Sequence, residues 1–229
     1  KTKKVVTSDN FYNKSAFLQM GDSIYLFSNL GIGVLNRFDE VKKLFSFGPM
    51  PVTFSIYDAA LYDLNTILLA TSDGLYHYNL RSNTIKLLYK DQIGAHFRTI
   101  YNYKNHFLIG TYGGGIYVLQ NGVIKPLVID KNNYLKFSHC FIPDGKDVWI
   151  STNKGIIKSS FESLVTNFND QKIIPNYKYY GKQEGIDILE MNGGCTPCAI
   201  KMSNGKISVP GIDGLIQFNP KSLPSAKIS

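Results

Sequence analysis

The sequence predicts an all-β fold of the β-propeller type, built from four-stranded antiparallel blades of about 40 residues, with about five blades in this chain. Three observations carry that expectation. The first is composition: 229 residues with 44% hydrophobic and 13% aromatic content, including fifteen Tyr, fourteen Phe and twenty Gly. Such a chain folds, and it favours strands, because branched and aromatic side chains suit a pleated surface while glycine serves the turns. The second is an internal repeat, and the third is the presence of further short apolar runs on both sides of each repeat copy.

Five segments share one frame: SIYLFSNLGIGVL (23–35), TILLATSDGLYHY (66–78), HFLIGTYGGGIYVL (106–119), DVWISTNKGIIKS (147–159) and KISVPGIDGLIQF (206–218). Each reads as an apolar strand, a small residue, a tight turn, a glycine and a second apolar strand. The small residue falls at Ser28, Thr71, Thr111, Thr152 and Gly211, and the turn glycine at Gly31, Gly74, Gly115, Gly155 and Gly214. In the first copy Gly33 is an alternative to Gly31. Successive small residues lie 43, 40, 41 and 59 positions apart.

Taken in order, KTKKVVTS (1–8) reads as an outermost strand that completes or precedes a blade. Repeats follow near 11–50, 51–92, 93–130, 131–180 and 190–220, and 221–229 begins a linker to a following domain. The runs FSIYDAALY (54–62), FRTIYNY (97–103), FSHCFIP (137–143) and CTPCAIKM (195–202) supply the strand before each later copy. VKKLFSF (41–47), TIKLLYK (84–90) and GVIKPLV (122–128) supply the strand after. The last copy lacks an outermost strand, so the chain is either a five-bladed ring or part of a larger propeller cut at both ends.

Several functions are disfavoured by the same reading. Gly113, Gly114 and Gly115 lead into a strand, with no GK[ST] behind them, so they form a turn and not a phosphate cradle. The net charge of +8 is spread along the chain and interleaved with acids. That argues against nucleic acid and for an anionic ligand or acidic partner. No run of apolar residues is long enough to span a membrane, and KTKKVVTSDN lacks the apolar core of a signal peptide.

The pair Cys195 and Cys198 lacks two further ligands for zinc, and it begins an apparent strand where a redox pair needs a helix N-terminus; packing is its expected role. His77, His96, His106 and His139 lie in different copies, and no G-x-S-x-G is present. No catalytic residue, metal or cofactor is therefore assigned.

A ligand site is expected where the turns between second and third strands, and the segments leading into innermost strands, gather at one mouth of the central channel. The candidates are Tyr112, Asn153, Lys154, Asp73, Asp213 and Asn29 from the turns, with His96, Arg98 and Asn192 entering innermost strands. Tyr112 offers a ring for stacking on a sugar, and Arg98 or Lys154 a cation for a uronate or sulfate.

The repeats LLATSDGLYHYN, FLIGTYGGGIYVLQNG and VWISTNKGIIKSS resemble the two-component regulator propeller repeat, with Trp149 at that repeat's Trp position. The stretch QEGIDILEMNGGCTPCAIKMSNGKISVPGIDGLIQFNP (183–220) resembles the last blade of large sensor propellers, matching at Glu190, Asn192, Gly193 and Gly194. Met191 stands where that family has an aromatic residue. The resemblance implies the C-terminal propeller part of a periplasmic sensor from a Bacteroides-type hybrid two-component system. By that likeness the chain is a non-catalytic sensor of oligosaccharides, anionic ones included. It also implies a homodimer through the full ectodomain, a membrane contact only through a helix outside this chain, and a kinase elsewhere. A protein-interaction scaffold and a polysaccharide lyase or hydrolase are the alternative readings.

Overall fold

The computed structural model describes residues 16–35, 41–47, 55–127, 131–193 and 196–223. The expected outer strand at 1–8, the linker from 224 onward, and Gly194 and Cys195 lie outside the described residues. Among the described residues, nineteen strands fall into five consecutive antiparallel meanders. The first holds β1 (Ala16–Met20), β2 (Ser23–Ser28), β3 (Gly31–Leu35) and β4 (Val41–Ser46); the second β5 (Ile56–Asp63), β6 (Thr66–Thr71), β7 (Leu75–Asn79) and β8 (Thr84–Tyr89). The third holds β9 (His96–Tyr103), β10 (His106–Tyr112), β11 (Ile116–Gln120) and β12 (Val123–Pro126). The fourth holds β13 (Ser138–Asp144), β14 (Asp147–Thr152), β15 (Gly155–Ser160), a helix α1 (Phe161–Asn169) and β16 (Tyr177–Tyr180). The last has three strands among the described residues, β17 (Ile200–Lys201), β18 (Ile207–Gly211) and β19 (Gly214–Phe218).

Successive sheets pack face to face, and this is why their middle strands read as unbroken apolar runs. In β6, Ile67 and Leu69 face the first sheet while Leu68 and Ala70 face the third. In β14, Val148 and Ile150 join the core shared with the third sheet while Trp149 joins the core shared with the last. Period-2 alternation therefore sends side chains into two different cores and none into water. Trp149 is fully buried there, its Nε1 donating to Asp144 Oδ2 at 3.2 Å. The first strands lie side by side, β1 on β5, β5 on β9 and β9 on β13, around a common axis. The fourth strands β4, β8 and β12 form the largely exposed rim. The arrangement is propeller-like.

The repeated small residue has a definite job. Thr71, Thr111 and Thr152 are fully buried, and each hydroxyl donates to the carbonyl of the turn glycine, Gly74, Gly115 and Gly155, at 2.8, 2.8 and 3.0 Å. The same oxygens accept from turn amides, those of Gly74, Gly114 and Lys154 among them. Ser28 repeats the pattern with Gly31 at a longer 3.4 Å, which makes Gly31 rather than Gly33 the turn glycine. Gly155 adopts φ +119°, and a Cβ there would sit 2.6 Å from the Tyr180 carbonyl of the fourth strand. In the last copy Gly211 cannot be Thr, because Ile188 fills the space a side chain would need.

Two expectations need correction. The fourth repeat contains a helix that the strand frame did not anticipate. Ser160 caps it, its Oγ accepting from Ser163 N at 3.1 Å, and Phe161, Leu164, Val165 and Phe168 form one buried face. Phe161 stacks on Tyr101 and Tyr103 at 5.0 and 4.4 Å, so α1 bridges the third and fourth sheets on their outer side. Secondly, CTPCAIKM is not a strand throughout: residues 196–199 bend, and β17 begins only at Ile200. The bend carries Cys198, which is buried, and Thr196, whose hydroxyl donates to the Tyr57 carbonyl of β5 across the channel.

Candidate functional site

The pairing of first and second strands slips at an equivalent place in three successive sheets. Ile56 pairs with Thr71 and Asp58 with Ala70, which leaves Tyr57 as an extra residue. In the same way Phe97 pairs with Thr111 and Thr99 with Gly110, leaving Arg98. Ser138 pairs with Thr152 and Cys140 with Ser151, leaving His139. Each bulge sits opposite the buried threonine, and a bulge re-aims the side chain it carries. In the last sheet Met191 bridges Gly211, so Asn192 occupies the corresponding place. Tyr57, Arg98, His139 and Asn192 are thus equivalent positions of four neighbouring sheets.

Three of these positions, Arg98, His139 and Asn192, meet Tyr112, Asn153, Glu190, Met191 and Gly193 around a cavity of about 190 Å³, with Tyr57 packed behind Arg98. A second cavity of about 190 Å³ continues inward from Arg98 and His139 to Asp58, Thr99, Cys140 and the Thr196–Ala199 bend. The Arg98 guanidinium carbon lies 4.0 Å from the ring centre of Tyr57 and 5.4 Å from that of Tyr112, within cation–π range of both. Tyr112 also meets Phe137 edge-on at 4.8 Å and leaves 43% of its surface exposed.

His139 is 2% exposed. Its Nε2 pairs with Asn153 Oδ1. Burial holds this imidazole below the ordinary histidine range and Arg98 adds to that, against the raising effects of Asn153 and Glu190. A neutral ring at pH 7 follows. A Cβ on Gly193 would strike the His139 ring, so glycine at 193 lets the backbone close over it. Deeper in, Asp58 accepts from Ala59 N, Thr99 Oγ1 and Ile100 N at 2.9, 3.2 and 2.8 Å, tying β5 to β9. Burial pushes its carboxyl up to about 6 in spite of those bonds.

Of the residues expected from sequence, the structure brings Arg98, Tyr112, Asn153 and Asn192 to one cavity. His96 lies behind them, stacked on Tyr57 at 6.4 Å. Asp73 is engaged elsewhere, with Lys90 Nζ at 2.5 Å and Tyr76 Oη at 2.9 Å, and Lys90 holds its carboxyl below the usual range. Lys154 reaches the Asn132 carbonyl at 3.0 Å. Asp213 is exposed in the β18–β19 turn and Asn29 in the β2–β3 turn is half-buried; neither lines the cavity. Tyr57, His139 and Glu190 belong to the site but not to the sequence-derived set.

Comparison with known proteins gives a fold likeness. No family model matches the chain, and no curated protein matches it. Among solved structures, the extracellular domain of the hybrid two component system BT4673 from B. thetaiotaomicron superimposes with a TM-score of 0.64 at 15% identity, over 93% of this chain and 27% of that one. The extracellular domain of the hybrid two component system BT3049 from the same organism gives 0.51 at 18% identity, over 95% and 35%. Virginiamycin B lyase from Staphylococcus aureus gives 0.59 at 10% identity, over 92% and 72%. This chain spans about a quarter of the BT4673 domain. The structures it resembles in fold therefore include extracellular domains of B. thetaiotaomicron hybrid two-component systems.

Proposed function

We propose that the chain is a non-catalytic, extracytoplasmic ligand-sensing module of a hybrid two-component receptor, and that an oligosaccharide enters the channel mouth. The observation that carries this reading is the convergence of Arg98, Tyr112, His139, Asn153 and Asn192, from three neighbouring sheets, on one cavity. That set combines an exposed aromatic ring with fixed polar groups, the mixture by which concave sites hold hydroxylated rings. The likeness to sensor ectodomains supports the sensing role, and the resemblance of the repeats supports a periplasmic setting.

Signalling by such a module requires the ligand to favour one assembly state of the ectodomain over another; equal affinity for both shifts nothing. A kinase outside these residues reads the shift, and a homodimer of the full ectodomain is the assembly it acts through. Calorimetric titration of the protein with an oligosaccharide library tests the reading. Heat from one glycan class, lost on Tyr112→Ala, supports it. Silence toward every glycan together with tight binding of a protein ligand replaces it with an interaction scaffold, and turnover of a labelled polysaccharide replaces it with an enzyme.

A further inference from the structure

Building on the reading of the channel mouth as the ligand site, we propose that the ligand carries a uronate carboxylate, and that this group docks on the edge of the Arg98 guanidinium. Among the described residues Arg98 is a cation without a counter-ion. The ion pairs among the described residues are Lys90–Asp73, Lys104–Glu162, Lys158–Asp147 and Lys201–Asp144, and none includes it. Its Nε is buried and meets no acceptor. The two rings beside it, Tyr57 and Tyr112, attract a cation but place no acceptor in the guanidinium plane. Asp58, on the inner cavity, is already held by Ala59, Thr99 and Ile100, and Glu190, on the outer one, makes no ion pair with Arg98. A partly desolvated cation of this kind is costly unless a partner arriving from solution completes it.

The surroundings select the kind of anion. With aromatic rings attending the guanidinium, the free contact is its edge, and a planar carboxylate matches that edge with two parallel hydrogen bonds. Tyr112 leaves a ring surface for a pyranose next to the carboxylate, while Asn153, Asn192 and Glu190 offer partners for hydroxyl groups. Lys154, the other cation named from the sequence, is anchored at Asn132 and lies outside the cavity lining.

The test is calorimetry of the protein with oligogalacturonides and glucuronoxylan oligomers, each beside its carboxyl-reduced and methyl-esterified counterpart. The expected result is that one uronate series binds and that reduction or esterification weakens it by about 10- to 100-fold. Arg98→Gln, checked for folding by thermal melting, should bring the acid and its reduced form to the same affinity. Arg98→Lys should recover part of the difference. Equal binding of acid and reduced forms by the unaltered protein overturns the uronate inference while leaving sugar sensing in place. Unchanged uronate affinity in a folded Arg98→Gln protein overturns the role of Arg98. No heat with any glycan, acidic or neutral, overturns the inference together with the sugar-sensing function on which it rests.

Discussion

Thr111→Val probes the hydroxyl device that the first four repeats share. Valine keeps the shape of threonine, so no cavity opens; what disappears is one oxygen. That oxygen donates to Gly115 O at 2.8 Å and accepts from Gly114 N at 2.9 Å. The Gly115 carbonyl keeps the amide of Thr111 at 3.0 Å, but the buried Gly114 amide loses its partner. Stranding one buried amide costs about 1–3 kcal/mol, so about 2 kcal/mol is expected. In urea, with a slope of about 3 kcal/mol/M, the midpoint should fall by roughly 0.7 M at unchanged slope. In a thermal melt the loss should be about 4–8 °C. Thr111→Ser, which keeps the hydroxyl and removes one methyl, should cost only about 1 kcal/mol. Ser28→Ala should also be mild, because the Ser28 bond to Gly31 is already long at 3.4 Å. A valine variant within about 0.5 kcal/mol of the unaltered protein, or a serine variant as damaged as the valine one, would refute the argument.

Asp58 predicts a pH effect. Its folded-state value of about 6 lies above the 3.8 of a free carboxyl, so ionisation works against folding. The stabilising contribution is complete below pH 4 and is lost as pH rises through 6, about 3 kcal/mol in all, and Asp58→Asn should flatten this part of a stability-versus-pH curve measured by urea unfolding. Gly155→Ala places a Cβ against the Tyr180 carbonyl at φ +119° and should cost about 2–3 kcal/mol in the same assay. Gly145→Ala, at φ +65° with open space around the new Cβ, should cost only about 1 kcal/mol. Ser160→Ala removes the α1 cap and should lower stability by about 1 kcal/mol, with circular dichroism reporting any loss of the helix.

The strands were legible because propeller packing writes them plainly. TILLAT and DVWIST are apolar on both faces, since each face meets a core, and a glycine closes the turn between second and third strands in every copy. The helix was equally present, as Ser160 followed by apolar residues at 161, 164, 165 and 168, but a frame that asks only for strands passes over a 3.6-residue period. The last sheet misled in the other direction: CTPCAIKM has the composition of a strand, yet the chain there bends into the channel to reach Tyr57.

Half the site followed from position in the repeat, since Tyr112 ends a second strand and Asn153 sits in the turn after one. Tyr57 and His139 did not, because a bulge is a property of two strands together and one strand's residues do not announce it. Their spacing of 41 residues on either side of Arg98 is in the sequence. Tyrosine, arginine and histidine share no chemistry, however, so a search for self-similarity slides past them. Glu190 lies in the segment preceding the last sheet, whose path depends on tertiary bonds such as Met191 N to Thr152 O at 3.1 Å.

The slipped pairings separate what builds this molecule from what it can recognise. A residue inserted opposite the buried threonine is exempt from the ladder on either side, so its identity is unconstrained by strand pairing. Tyrosine, arginine and histidine stand there, beside Thr71, Thr111 and Thr152, while the strands stay paired on either side. Diversification of binding can therefore proceed one blade at a time, with each exchange editing a single contact at the rim of the pore while the hydroxyl-fastened turn behind it stays the same.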